Sequence, residues 1–280
     1  CLQFLFSKKT KALFTWSFHR INFYSNCPTH NISDIMNRAI NYNNCGLDCM
    51  EAGNFDKAIH KFRKAVDSVL HASQEGYTLS DDEEVQECNK LFRTDESKSL
   101  LFHTLQDAGV FSNPLTSVGK MLNTPYSSFV YQHAFSLQSL GRTEETNGIQ
   151  DSGKFQLEST AILYNLGLAY QLKHMEDKDG GNTLQTTAVK LYHHAIDLTL
   201  SIEPTTQEEA AFMAYLQICS LNNMGALFHE MGYYNNSSEC MRDMNALVSN
   251  FPLSEYSCVE WDFFIINFIT LVEPCSALAA

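Results

Sequence analysis

YNNCGLDCMEAGNFDKAIHKFRKA, running from Tyr42 to Ala65, is the stretch whose reading decides the fold. With Gly46 counted as position 8 of a unit of about 34 residues, Tyr42 falls at 4, Cys49 at 11, Gly53 at 15, Phe55 at 17, Ala58 at 20, Phe62 at 24 and Ala65 at 27. Small residues at 8 and 20 let two helices approach closely, because a larger side chain would hold their axes apart. Large residues at 4, 17 and 24 fill the wedge between one helix pair and the next. A glycine inside a helix costs ~1 kcal/mol against alanine and calls for a packing reason. Close helix approach supplies that reason.

The same spelling returns twice, as Asn165-Leu166-Gly167 and Asn223-Met224-Gly225 beside Asn44-Cys45-Gly46. The second copy has Leu163, Gly167 and Tyr170 in its first helix, then Ala188, Tyr192 and Ala195 in its second. Its turn is nine residues longer, and the charged, Gly-containing stretch Met175–Gln185 reads as a solvated loop. The third copy has Leu221, Gly225, Phe228, Gly232 and Tyr234, but Ser237, Met241 and Met244 replace the Ala, aromatic and Ala of the first. A degraded last copy is what a terminal repeat tolerates. Recurrence of this kind marks a stack of helical hairpins.

The pattern resembles the tetratricopeptide repeat, whose positions 4, 8, 15, 17, 20, 24 and 27 the first copy matches, with Cys49 the one weak position at 11. The resemblance implies an all-α fold, a TPR-like α-solenoid of antiparallel helix pairs. It assigns repeat 1 to residues 36–75, repeat 2 to 156–203 and repeat 3 to 207–250.

The remaining segments are read from composition. Residues 1–35 form a non-core extension with four Lys/Arg and the single acid Asp34, whereas the rest carries 15 basic and 31 acidic residues. The shift at Met36 suggests a natural start there, and a targeting presequence is the rival reading. Residues 76–155 read as an insertion, acidic and mobile over 76–99, with a short helix at Leu100–Ala108 and loop character over 141–153. Within the insertion, Phe129, Val130, Tyr131, Phe135 and Leu137 predict a strand over 126–140. A lone strand needs a mate. The apolar run Trp261–Val272 fits either a capping helix or a strand, and the need for a mate favours a two-stranded β ribbon of 127–138 with 262–272. Residues 258–280 then form an apolar cap with a frayed tail.

Net charge is −13, so a phosphate backbone is a poor partner. Nine cysteines lie scattered without a C-x-x-C pair, and Cys45 and Cys49 occupy packing positions, which fits reduced thiols in a cytoplasmic compartment. No apolar run reaches the ~20 residues of a membrane span. No phosphate-binding loop is spelled: Gly180-Gly181 lacks the Lys and Ser/Thr that such a loop needs. The adjacent His193 and His194 point to different faces of a helix, so they are not expected to share an ion. No enzyme, cofactor or metal is expected from these features.

The resemblance also implies a groove lined by the first helix of each hairpin. Carried over by position, its candidate residues are Asn43, Asn44, Leu47 and Glu51 in the first repeat, with Met50 beside them. The second repeat supplies Tyr164, Asn165, Leu168 and Gln171, and the third Asn222, Asn223, His229 and Glu230. Asn44, Asn165 and Asn223 share position 6, an arrangement similar to that of kinesin light chain-type repeats. An Asn side chain both donates and accepts, so it can bond an extended peptide's main chain without demanding a sequence. The basic clamp of chaperone-binding members is missing, since its positions hold Asn43, Leu47, Cys219 and Asn223. A chaperone C-terminal tail is therefore disfavoured. With Glu51 and Glu230 on the wall, a neutral to basic segment suits it better. The expected function is an adaptor or scaffold that binds an extended peptide or protein segment. The alternative is a permanent structural subunit of a larger complex.

Overall fold

The computed structural model describes residues 29–72, 110–114, 128–137, 150–177, 182–250 and 261–272. The expected extension or presequence before residue 29, the acidic stretch 76–99, the helix at 100–108 and the frayed tail lie outside them. The chain is mainly α-helical, as expected. Its elements are α1 (Thr29–Glu51), α2 (Phe55–Ala72), β1 (Val110–Pro114), β2 (His133–Leu137), α3 (Gln150–Glu176), α4 (Asn182–Ser201), α5 (Gln207–Glu230), α6 (Tyr234–Asn250) and α7 (Trp261–Val272).

Helices α1/α2, α3/α4 and α5/α6 are the expected hairpins, and each helix packs on the next one in the chain. The first and third hairpins close by the same turn. In α1/α2 the N–H of Asn54 bonds the carbonyl of Cys49 and that of Gly53 bonds Met50, with Gly53 at φ 72°. In α5/α6 the N–H of Tyr233 bonds Phe228 and that of Gly232 bonds His229, with Gly232 at φ 79°. This double bond with a left-handed residue satisfies the last carbonyls of a helix, and glycine takes that conformation without steric cost. Asn54 then caps α2, its Oδ1 accepting from the N–H of Lys57. Thr206 caps α5 likewise, accepting from Glu209 N–H.

The three helix-interior glycines occupy equivalent contacts. A Cβ on Gly46 would lie 2.7 Å from the Phe62 ring, one on Gly167 3.0 Å from Tyr192, and one on Gly225 2.3 Å from the Met241 methyl. In repeat numbering each is position 8 facing position 24. The degraded third copy keeps the same buried places, with Ser237, Met241 and Met244 all enclosed.

Several boundaries differ from expectation. Helix α1 begins at Thr29, upstream of Met36, and Met36 is buried on it. Helix α3 begins at Gln150, so the loop expected over 141–153 ends earlier. The loop expected at Met175–Gln185 shrinks from both ends, because α3 reaches Glu176 and α4 starts at Asn182 with Gln185 buried.

The expected ribbon of 127–138 with 262–272 is corrected. Residues 261–272 form α7, burying Trp261, Phe264, Asn267 and Leu271 against α5 and α6. Those positions share one helical face, and a helix satisfies its own backbone. The mate of β2 is β1, antiparallel, with Val110 opposite Leu137 and Pro114 opposite His133. The insertion thus holds two paired strands rather than one. Helices α1, α3 and α5 also touch one another across the stack, and β2 rests on α1 and α3. Among the described residues no helix is long and apolar enough to cross a membrane.

These contacts rank the glycines. Phe62 is fully buried and its ring has no room to swing, so Gly46→Ala should destabilise the fold by about 1–3 kcal/mol. Gly225→Ala meets only the end of a flexible methionine, and the helix propensity it gains offsets much of the clash. In urea unfolding Gly46→Ala should shift the midpoint clearly below that of Gly225→Ala. Equal midpoints would show that the two contacts are not as different as their geometry.

Candidate functional site

Positions 5 and 6 of a hairpin's first helix meet one segment of the same chain in all three hairpins. Segment 129–137, which ends in β2, crosses α5, then α3, then α1, and the asparagines take its main chain. Asn222 Nδ2 donates to the carbonyl of Phe129 at 2.9 Å. Asn223 accepts from Tyr131 N–H at 2.7 Å and donates to Tyr131 C=O at 3.2 Å. Asn165 accepts from Phe135 N–H at 2.8 Å and donates to Phe135 C=O at 2.7 Å. Asn44 accepts from Leu137 N–H at 3.1 Å and donates to Leu137 C=O at 2.7 Å. Asn43 adds a bond to Phe135 C=O at 3.0 Å.

Every bonded residue is odd-numbered. In a strand the peptide groups of alternate residues face opposite edges. The asparagines therefore cover one edge of β2, while the even-numbered residues face β1. Side-chain amides play the part of a neighbouring strand.

The amides are themselves linked. Asn165 Nδ2 donates to Asn43 Oδ1 at 2.8 Å, and Asn222 Nδ2 to Asn223 Oδ1 at 3.1 Å. Tyr192 donates to Gln171 Oε1 at 2.8 Å, and both Tyr164 and Tyr192 hydroxyls lie within reach of Asn223 Nδ2. Burial holds the Tyr192 hydroxyl far above its ordinary range, so it remains a proton donor. Asn43, Asn165, Asn222 and Asn223 are all fully enclosed, so an unmet bond there has no water to replace it.

Asn267 on α7 completes the row, donating to Phe129 C=O at 2.9 Å and to Asn222 Oδ1 at 2.8 Å. Sequence reasoning missed it. The signal was a single amide inside the apolar run 261–272, on the same face as Trp261 and Phe264.

Side chains of the segment are seated too. Tyr131 packs on Tyr215, Phe263 and Phe264, and the hydroxyls of Tyr131 and Tyr215 hydrogen-bond each other. Phe135 lies edge-on to Tyr164, Phe212 and Tyr215. Ala134, Phe135 and Leu137 are buried.

The remaining candidates divide. Leu47, Leu168 and Met50 are core residues. Gln171 supports the network through Tyr192. Glu230 pairs with His174, Nε2 to Oε1 at 3.3 Å, and neither Glu230 nor His229 is seen bonding the segment. Burial lowers the pKa of His229. Glu51 is half-buried at the end of α1. The His193–His194 pair acquires a third member that sequence reasoning did not weigh. Asp197, one turn on, binds His193 Nδ1 at 3.0 Å, and the three side chains bring ligand atoms within 4.8 Å of one another. That hydrogen bond raises the His193 pKa, while burial and then His193 lower that of His194.

Comparison with known proteins gave no match, whether to a family model, to a curated protein or to a solved structure.

Asn165→Ala should cost about 2–3 kcal/mol, because it strands a buried N–H at Phe135 and an amide at Asn43. Asn44 is half-buried, and water can partly replace it, so Asn44→Ala should cost about 1 kcal/mol. Urea unfolding of both variants checks the order, and a smaller loss for Asn165→Ala would contradict the bidentate contact.

Proposed function

We propose that the protein is a cytoplasmic interaction adaptor or scaffold whose TPR-like hairpins hold polypeptide by its main chain. One observation carries this reading: asparagines from all three hairpins bond the peptide groups of a passing segment, with selectivity left to separate apolar seats. Catalysis has no part in it. Main-chain amides need no charge to be recognised, and a chain of net −13 disfavours nucleic acid. The partner is a protein or peptide, neutral to basic. A chaperone C-terminal tail lacks the cations that would hold its carboxylates.

A second reading has its own support. The outer face of α7 leaves Ile265, Ile266 and Ile269 between 38% and 59% exposed, a stripe that a permanent neighbour would cover. In that case the hairpins are an architectural subunit, and the segment is simply part of its core.

An arrayed set of neutral and basic 15-residue peptides, screened against the purified full chain and followed by calorimetry, separates the two. The adaptor should run as a monomer on size exclusion and bind a subset of peptides at micromolar Kd. No binding at any sequence, together with concentration-dependent assembly that Ile266→Glu abolishes, would replace the adaptor by the subunit.

A further inference from the structure

We infer that the wall formed by α1, α3 and α5 is an exchange site, at which a segment of a partner protein takes the place of residues 129–137. The partner segment carries an aromatic residue, a second aromatic four positions later and an aliphatic residue two beyond that. The inference rests on the peptide-holding reading and specifies its ligand.

Three features of the structure lead there. The asparagine hydrogen bonds address N–H and C=O groups at residues 129, 131, 135 and 137, and any sequence without proline at those places offers the same groups. Selectivity must then come from the seats. Tyr131 and Phe135 fill aromatic pockets and Leu137 is buried, which sets the spacing of four and then two. Ala134 is fully buried, so the residue before the second aromatic must be small. Gln132 and His133 are half-buried, with the His133 ring stacked on Tyr131.

The helices also touch one another directly, besides their contacts with the segment. Helix α1 packs on α2, α2 on α3, α3 on α4 and α4 on α5, with direct α1–α3 and α3–α5 contact besides. The segment is laid across a stack that is already joined. Its removal alone would strand buried amides and empty two aromatic seats, each costly. A segment that restores the same bonds and fills the same seats removes that cost, so replacement by a matching chain is favoured over simple opening.

The experiment uses the folded full chain with protease sites inserted at 115–127 and 138–149, cut after folding so that the segment is held without covalent ties. A fluorescein-labelled peptide of residues 127–139 is added in excess, beside the same peptide carrying Tyr131→Ser and Phe135→Ser. Anisotropy follows binding, and mass spectrometry follows release of the native segment. The intact peptide should exchange in, and the serine peptide should bind at least tenfold more weakly. In the uncut chain, Phe135→Ala should raise affinity for the intact peptide at least tenfold over wild type. If that variant loses its helical circular dichroism, the cut chain alone decides. Retention of the native segment against excess peptide, with the fold intact, overturns the inference. So does collapse of the helices on its release. Equal binding of the two peptides overturns the spacing rule. If peptides from the array still bind the cut chain while the native segment stays in place, the adaptor reading stands on another surface and only the exchange fails.

Discussion

The contact between the Asn165 side chain and the main chain of Phe135 organises the rest. One amide meets both the N–H and the C=O of one residue, at 2.8 and 2.7 Å, in the geometry a neighbouring strand would use. Asn165 is fully buried, so neither partner can fall back on water. A satisfied pair in such surroundings specifies one arrangement, because every shift of the strand by a residue would turn those groups to the other edge. The same contact recurs at Asn223 and Asn44, and it fixes the register of segment 129–137 over three separate hairpins.

That row exists because the hairpins are alike. Gly46, Gly167 and Gly225 each bring a second helix close at the same relative position, against Phe62, Tyr192 and Met241. Equal approach gives equal rotation of the first helices, so positions 5 and 6 of each fall on a common side. The glycine seam and the asparagine row are therefore two consequences of one spacing, with the position-6 asparagines on the side of α1, α3 and α5 opposite the glycines.

The misreading of 261–272 shows where pattern reasoning stops. The strand around Phe135 was recognised from its aromatics, and the rule that a strand needs a partner is sound. The inference that the partner had to be another apolar run was not. Asparagine amides cover one edge of β2, and β1, whose sequence Val110-Phe-Ser-Asn-Pro114 is short and ends in proline, covers the other. With both edges met, 261–272 was free to follow its own helical periodicity. Asn267, the one amide of that run, links it to the row.

Within a span of about 34 residues the signals are local: glycine and alanine at fixed intervals, aromatics that wedge, a left-handed glycine at each short turn. These depend on contacts between near neighbours in the chain, so the helical hairpins and the alignment of Asn44, Asn165 and Asn223 could be read from residues alone. Which main chain those amides take is a different matter. Asn44 and Leu137 lie 93 positions apart, and Asn223 and Tyr131 lie 92. An amide bonds any peptide group that reaches it, so its side chain carries no address for its partner. Only the packing of α1, α3, α5 and α7 around Tyr131 and Phe135 brings this segment, and not another, to the wall.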